Sequence, residues 1–290
     1  MDIRRIGTLR CRLGEGPLWD VAEQALYFID GRANRLWRYQ PGPESFASWE
    51  TPLQIGSMAL RKDGGAILAL EDGFYGFDFA TGQASLIAKA PGEGEKTSLN
   101  DGKVDARGRF LAGGCVRSLT DTVAKAGLHR LDPDGSVTTL EREISVSNGP
   151  CWSPDGRTLY FADSMPRTVF AYDYDLETGG ISNKRVFLKT GPSDGIPDGA
   201  TVDAQGRYWV ALCLAGKIAC YRPDGELERT VEVPAGWVSS VMFGGPRLDQ
   251  LYFTSIDPDV LGRPSTDADG GLYVIDGLGA TGLPEPRFGG

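Results

Sequence analysis

Gly16-Pro17-Leu18-Trp19-Asp20, running on to Leu26-Tyr27-Phe28-Ile29-Asp30, returns as Gly149-Pro150-Cys151-Trp152-Ser153 running on to Leu159-Tyr160-Phe161-Ala162-Asp163. A weaker copy places Gly245-Pro246-Arg247 ahead of Leu251-Tyr252-Phe253-Thr254-Ser255. Each copy joins two short apolar runs, rich in aromatic and branched residues, through a polar turn, which is the pattern of paired strands. A second repeat overlaps the first: Val104-Asp105-Ala106-Arg107-Gly108-Arg109-Phe110 recurs 98 residues later as Val202-Asp203-Ala204-Gln205-Gly206-Arg207-Tyr208. Further turns, Asp132-Pro133-Asp134-Gly135 and Arg222-Pro223-Asp224-Gly225, close what read as outer hairpins. The repeating unit is a β-meander.

Working outward, each unit is headed by a polar, oxygen-bearing residue. Leu13-Gly14-Glu15-Gly16-Pro17 sets one carboxylate between two glycines, and Ser98-Leu99-Asn100-Asp101-Gly102, Ser147-Asn148-Gly149-Pro150 and Ile196-Pro197-Asp198-Gly199 have the same form. Counting Ser57 and Ser240, the heads stand 42 to 50 residues apart. Six units of four short antiparallel strands at that pitch predict an all-β chain, a six-bladed β-propeller forming one domain over residues 1–290. An amino-terminal strand at residues 6–10 and a carboxy-terminal strand, Gly271-Leu272-Tyr273-Val274-Ile275-Asp276, are expected to share the last blade and close the ring. Residues 117–126 and 257–270 read as loops.

Composition narrows the function. The 290 residues carry a net charge of -9 and contain one histidine, His129, and five cysteines without a C-x-x-C pair. Nucleic acid and anionic membrane need a basic patch, so neither is an expected partner, and no obligate protein partner is evident. One histidine, in the alternating strand Gly127-Leu128-His129-Arg130-Leu131, argues against histidine-rich zinc sites and Ser-His-Asp or Cys-His hydrolysis. Without an apolar signal core or a span of about 20 apolar residues, the expected location is cytoplasmic, where the cysteines stay free thiols.

In a propeller the inner strands begin at one mouth of the central channel, so residues heading successive units meet there although far apart in sequence. Glu15, Asn148 and Asp198 then offer two carboxylates and an amide oxygen, with Asn100 and Asp101 beside them. Oxygen-only ligation suits one hard divalent cation, Ca²⁺, Mg²⁺ or Mn²⁺, with Zn²⁺ also possible. A cation also relieves the repulsion between paired carboxylates. The glycines suggest that Glu15 is left accessible, since a side chain there would obstruct it. Asp30 and Asp163, ending matched strands, read as structural caps.

The ordered motifs Leu13-Gly14-Glu15-Gly16-Pro17, Leu99-Asn100-Asp101-Gly102-Lys103-Val104-Asp105, Ser147-Asn148-Gly149-Pro150 and Pro197-Asp198-Gly199 resemble the gluconolactonase/regucalcin (senescence marker protein) family of six-bladed propellers. The resemblance implies a divalent metal held by Glu15, Asn148 and Asp198, and hydrolysis of sugar lactones by an activated water with Asp198 as general base. It implies that Asn100 contacts metal-bound water or substrate and that Asp101 lies near the substrate. Many family members acting on aldonolactones carry arginine where this chain has Ser98, which removes a fork of donors for sugar hydroxyls. Arg117, in the following loop, is a candidate to replace it.

Three readings follow. The first is a metal-dependent lactonase opening glucono-, galactono- or pentonolactones to aldonic acids. The second is a calcium-binding or scaffold propeller without turnover. The third keeps the site and changes the substrate to a non-sugar lactone or another ester, with Trp237 as a stacking surface.

Overall fold

Short apolar runs separated by glycine, proline and aspartate turns satisfy their backbone amides by pairing with the next run. In the computed structural model, which describes residues 1–118, 121 and 123–289, they form six four-stranded antiparallel sheets. The chain begins with β1 (Asp2–Arg5). Blade 1 comprises β2 (Gly14–Asp20), β3 (Ala25–Asp30), β4 (Arg35–Gln40) and β5 (Ser45–Glu50). Blade 2 comprises β6 (Ile55–Leu60), β7 (Ala66–Leu70), β8 (Gly73–Asp78) and β9 (Gln83–Lys89). Blade 3 follows with β10 (Thr97–Val104), β11 (Phe110–Val116), β12 (Ala126–Leu131) and β13 (Val137–Ile144). Blade 4 has β14 (Ser147–Trp152), β15 (Thr158–Asp163), β16 (Thr168–Tyr174) and β17 (Ile181–Lys189). Blade 5 has β18 (Ile196–Val202), β19 (Tyr208–Cys213), β20 (Lys217–Tyr221) and β21 (Leu227–Glu232). Blade 6 orders β22 (Val238–Gly244), β23 (Gln250–Ser255) and β24 (Tyr273–Asp276) inside β1, so strands from both ends of the chain meet in one sheet. The ring is a six-bladed β-propeller.

The closing strand lies earlier than the sequence suggests. Asp2–Arg5 pairs with Tyr273–Asp276, while residues 6–10 cross to blade 1, with Ile6 buried. Its charged, half-exposed alternation marks an edge strand, and that hid it from a search for apolar runs. Residues 117–126 and 257–270 do connect strands; residues 119, 120 and 122 of the first lie outside the described residues. Among the described residues no helix is long and apolar enough to cross a membrane.

Repeated sequence becomes repeated geometry. Asp105 accepts the amides of Arg107 and Arg109 and the Arg109 Nε at 2.6 Å; Asp203 accepts those of Gln205 and Arg207 and the Arg207 Nε at 2.6 Å. Asp30 takes the amides of Arg12, Leu13 and Ala33, and Asp163 those of Ser145 and Val146, so each strand-ending acid anchors the crossover into its own blade's inner strand. Aromatic pairs bridge neighbouring blades, such as Trp19 on Tyr252 at 5.5 Å and Trp209 against Phe243 at 5.7 Å. Beyond β24 the tail runs across the end of the ring where the inner strands finish. Arg287 reaches the buried Asp20 at 2.7 Å, and Phe288 bonds to Leu60 and Lys62.

Nearest the axis the inner strands approach so closely that glycine is required. A Cβ at Gly199 of blade 5 would stand 2.0 Å from Ser240 Oγ and 2.7 Å from Ser240 Cα of blade 6. Rotating the serine cannot relieve the second contact. Gly199→Ala is expected to cost about 3 kcal/mol in denaturant unfolding, the upper range for overpacking, whereas Gly42→Ala, with nothing within 4 Å, should be close to neutral.

Candidate functional site

All six inner strands carry a register shift near their starts. From Glu15 to Leu18 there are three steps against two from Ile29 to Tyr27, one extra residue, and the same extra residue occurs after Asn148 and after Pro197. Blades 2, 3 and 6 shift at Ile55, Leu99 and Val238. A bulge bends the strand and re-aims its side chains. Near these bulges Asn100 and Asn148 are hydrogen-bonded to each other, and the charges of Asp101 and Asp198 act on Glu15, so the five residues heading blades 1, 3, 4 and 5 form one cluster. Gly16 and Gly149, at φ +52° and +55°, supply the left-handed residue of two bulges, and the prolines after them have no amide to leave unpaired. The Gly-Pro after Glu15 and after Asn148 is the available sequence signal for these two bulges.

Hydrogen bonds divide these residues by role. Asp101 accepts Gly102 N and Gly149 N, each at 2.8 Å, one on each oxygen, and so ties blade 3 to blade 4. Asn100 Nδ2 donates to the Ser147 carbonyl at 2.8 Å and to Asn148 Oδ1 at 3.0 Å. Asn148 Nδ2 donates to Ser164 Oγ at 2.9 Å, and Ser164 donates on to the Pro197 carbonyl at 2.7 Å. Among the described residues Glu15 takes only its neighbour's amide, from Gly16 at 3.0 Å. Ser164 was not foreseen, because a serine just past a strand end carries no local signal.

Burial pushes the Glu15 carboxyl well above the usual range, helped by the negative charges of Asp198 and Asp101. Asp198 is raised by burial and by Asp101, against the Cys213 thiol and the Gly199 amide, which favour its ionised form. Asp101 is also raised by burial, opposed by the Gly149 amide and the Lys103 charge. Among the described residues no ion pair engages Glu15 or Asp198, and no three Asp, Glu, His or Cys side chains alone could hold an ion. Glu15, Asp198 and the Asn148 oxygen could together supply an all-oxygen donor set of the kind that suits a hard divalent cation.

The remaining residues singled out in the sequence stand in other settings. Ser98 is buried with its hydroxyl 3.5 Å from Cys115 Sγ. The Arg117 guanidinium is held by Glu71 at 2.8 Å and by the carbonyls of Thr97 and Gly94. Trp237 is half-buried. His129 is buried, with its ring nitrogens on Glu93 and Thr139. A cavity of about 360 Å³ lies at the opposite end, where Val104, Trp152 and Val202 finish the inner strands under Leu283 and Pro284 of the tail; Glu15, Asn148 and Asp198 are not on it.

Residues 13–257 match the model of the SMP-30/Gluconolactonase/LRE-like region. The chain is 36% identical over 287 residues to regucalcin of Xenopus laevis, spanning 96% of this chain and 95% of that one. It is 35% identical over 298 residues to pentonolactonase XacC of Haloferax volcanii, spanning 99% and 98%. A solved calcium-binding protein, regucalcin from Agrobacterium tumefaciens, superposes with a TM-score of 0.90 at 26% identity, covering 99% of this chain and 97% of that one.

A carboxyl whose folded pKa is raised contributes stability below its unfolded pKa and loses it as pH rises through the folded value. In chelator-treated protein Glu15→Gln should therefore raise the melting temperature at pH 8, by about 2–4 °C per kcal/mol relieved, and change it little at pH 4. Calorimetric scans at both pH values measure this, and equal shifts at both would rule out the charge as the cause.

Proposed function

The chain belongs to the SMP-30/gluconolactonase/LRE-like family, and on that premise we propose that it is a metal-dependent lactonase opening aldonolactones to aldonic acids. The observation that carries this is the pairing of two buried carboxylates with no ion-pair partner among the described residues, Glu15 and Asp198, beside an amide oxygen whose direction is fixed, that of Asn148. These three residues would hold one divalent cation, Ca²⁺, Mg²⁺, Mn²⁺ or Zn²⁺. When bound, it polarises the lactone carbonyl and lowers the pKa of a neighbouring water.

Asp198 is the general base. Its buried carboxylate takes only a thiol and its neighbour's amide among the described residues, which leaves an oxygen to accept a proton from water. It takes a proton from the attacking water as the new C–O bond forms. The proton then passes to the ring oxygen as the acyl C–O bond breaks, which leaves a hydroxyl and a carboxylic acid, and the acid gives up its own proton to solvent to become the carboxylate. Asn100, with its NH₂ group engaged, keeps Oδ1 to accept a bond from a water or a substrate hydroxyl. Asp101 positions blade 4 at the edge of the substrate space, and Ser98 and Arg117 contribute to its wall.

A second reading, the same site acting on a non-sugar lactone, has one observation in its favour. The Ser98 hydroxyl lies against Cys115, and the Arg117 fork is already engaged, which leaves neither wholly free for sugar hydroxyls.

Acid release from a panel of sugar and non-sugar lactones, followed with a pH indicator on chelated protein before and after adding each cation, tests both readings. Cation-restored turnover of an aldonolactone is expected, and Asp198→Ala should lower it by about 10²–10⁴-fold with the fold intact. Cation-independent turnover surviving in Asp198→Ala would overturn the assignment. Preference for the non-sugar members selects the second reading.

A further inference from the structure

Two amides stand side by side at the mouth, and an amide can turn either its oxygen or its NH₂ group toward the axis. Only the oxygen ligates a hard cation. Asn148 does not make that choice itself. Its Nδ2 donates to Ser164 Oγ at 2.9 Å, and Ser164 Oγ donates to the Pro197 carbonyl at 2.7 Å. A carbonyl only accepts, so the single hydroxyl proton of Ser164 is committed to Pro197. What the serine offers Asn148 is therefore an acceptor. An acceptor on that side requires the NH₂ of Asn148 and sends Oδ1 the other way.

Asn100 enforces the same orientation from blade 3, donating to Asn148 Oδ1 at 3.0 Å. Asn148 and Ser164 are each only 4% exposed, which leaves little room for water to stand in for either partner. Pro197 immediately precedes Asp198 in β18, so the same hydrogen bond ties blade 4 to the strand carrying the general base.

We infer that Ser164 is a positioning residue: its committed hydroxyl compels Asn148 to present its carbonyl oxygen to the axis and sets the spacing between Asn148 and Asp198. This rests on the reading of Asn148 as a cation ligand. Ser164 itself touches neither ion nor substrate.

The test is calorimetric titration of chelator-treated protein with MnCl₂ alone, which needs no turnover. Ser164→Ala should weaken binding about 10–100-fold, the usual effect of losing a group that orients a ligand. Should the alanine variant fail to fold, Ser164→Thr and Ser164→Val give a pair of nearly equal shape in which only threonine keeps the hydroxyl, and only threonine should bind near the wild-type level. Repeating the alanine change on Asn148→Asp separates orientation from general support, because a carboxylate offers an oxygen whichever way it turns. There the loss should shrink to roughly threefold or less. Wild-type affinity in Ser164→Ala, or in Ser164→Val where alanine does not fold, or an undiminished loss on Asn148→Asp, would overturn the inference. A wild-type protein that binds neither Mn²⁺ nor Ca²⁺, Mg²⁺ or Zn²⁺ removes the cation reading and the inference with it.

Discussion

Six inner strands crowded around one axis set the terms for everything else in this molecule. Where Gly199 lies against Ser240, and where a Cβ on Gly149 would stand 2.8 Å from Ala200, the distance between blades is a backbone distance. Only small side chains fit the ring at that level. The same strands bulge there, beginning at Glu15, Asn148 and Pro197. The small residues and the polar heads are thus two results of one geometric demand.

The mouth gathers charge that the rest of the fold does little to neutralise. Asp101 is satisfied by two backbone amides from adjacent blades and has Lys103 below it. Glu15 and Asp198 have less: one neighbouring amide each, and for Asp198 a thiol. Burying carboxylates in this way opposes folding unless something positive joins them. The frame around this site is held by aromatic contacts between blades and by the Asp105–Arg109 and Asp203–Arg207 pairs in the turns that follow the inner strands of blades 3 and 5.

The periodic features were legible in the sequence. The Trp19 and Trp152 units, the paired Asp105 and Asp203 turns, and the heads at Glu15, Asn148 and Asp198 each repeat, and a repeat fixes equivalent positions without any knowledge of contacts. Asp30 and Asp163 could likewise be read as caps because they end matched strands. What escaped was aperiodic or distant. The partners of Ser98 and Arg117 depend on which loops fold together above the mouth. Ser164 matters only through an asparagine 16 residues away and a carbonyl in another blade. The tail that meets Asp20 through Arg287 joins residues 267 apart and belongs to no repeat. The glycines beside Glu15 were noticed but assigned to access, when close approach and the bulge account for them.

Because β1 pairs with β24, blade 6 has a consequence for how the chain comes into being on the ribosome. At 5–20 residues per second, on the order of 15 to 50 seconds separate the emergence of these two strands. Throughout that interval the first blades can assemble, but the ring stays open and Asp2–Arg5 waits without its partner. The waiting strand is Asp-Ile-Arg-Arg, three charges around one apolar residue, a composition that discourages pairing with the wrong neighbour. The nascent protein thus carries its own latch, kept from fastening early by its charge.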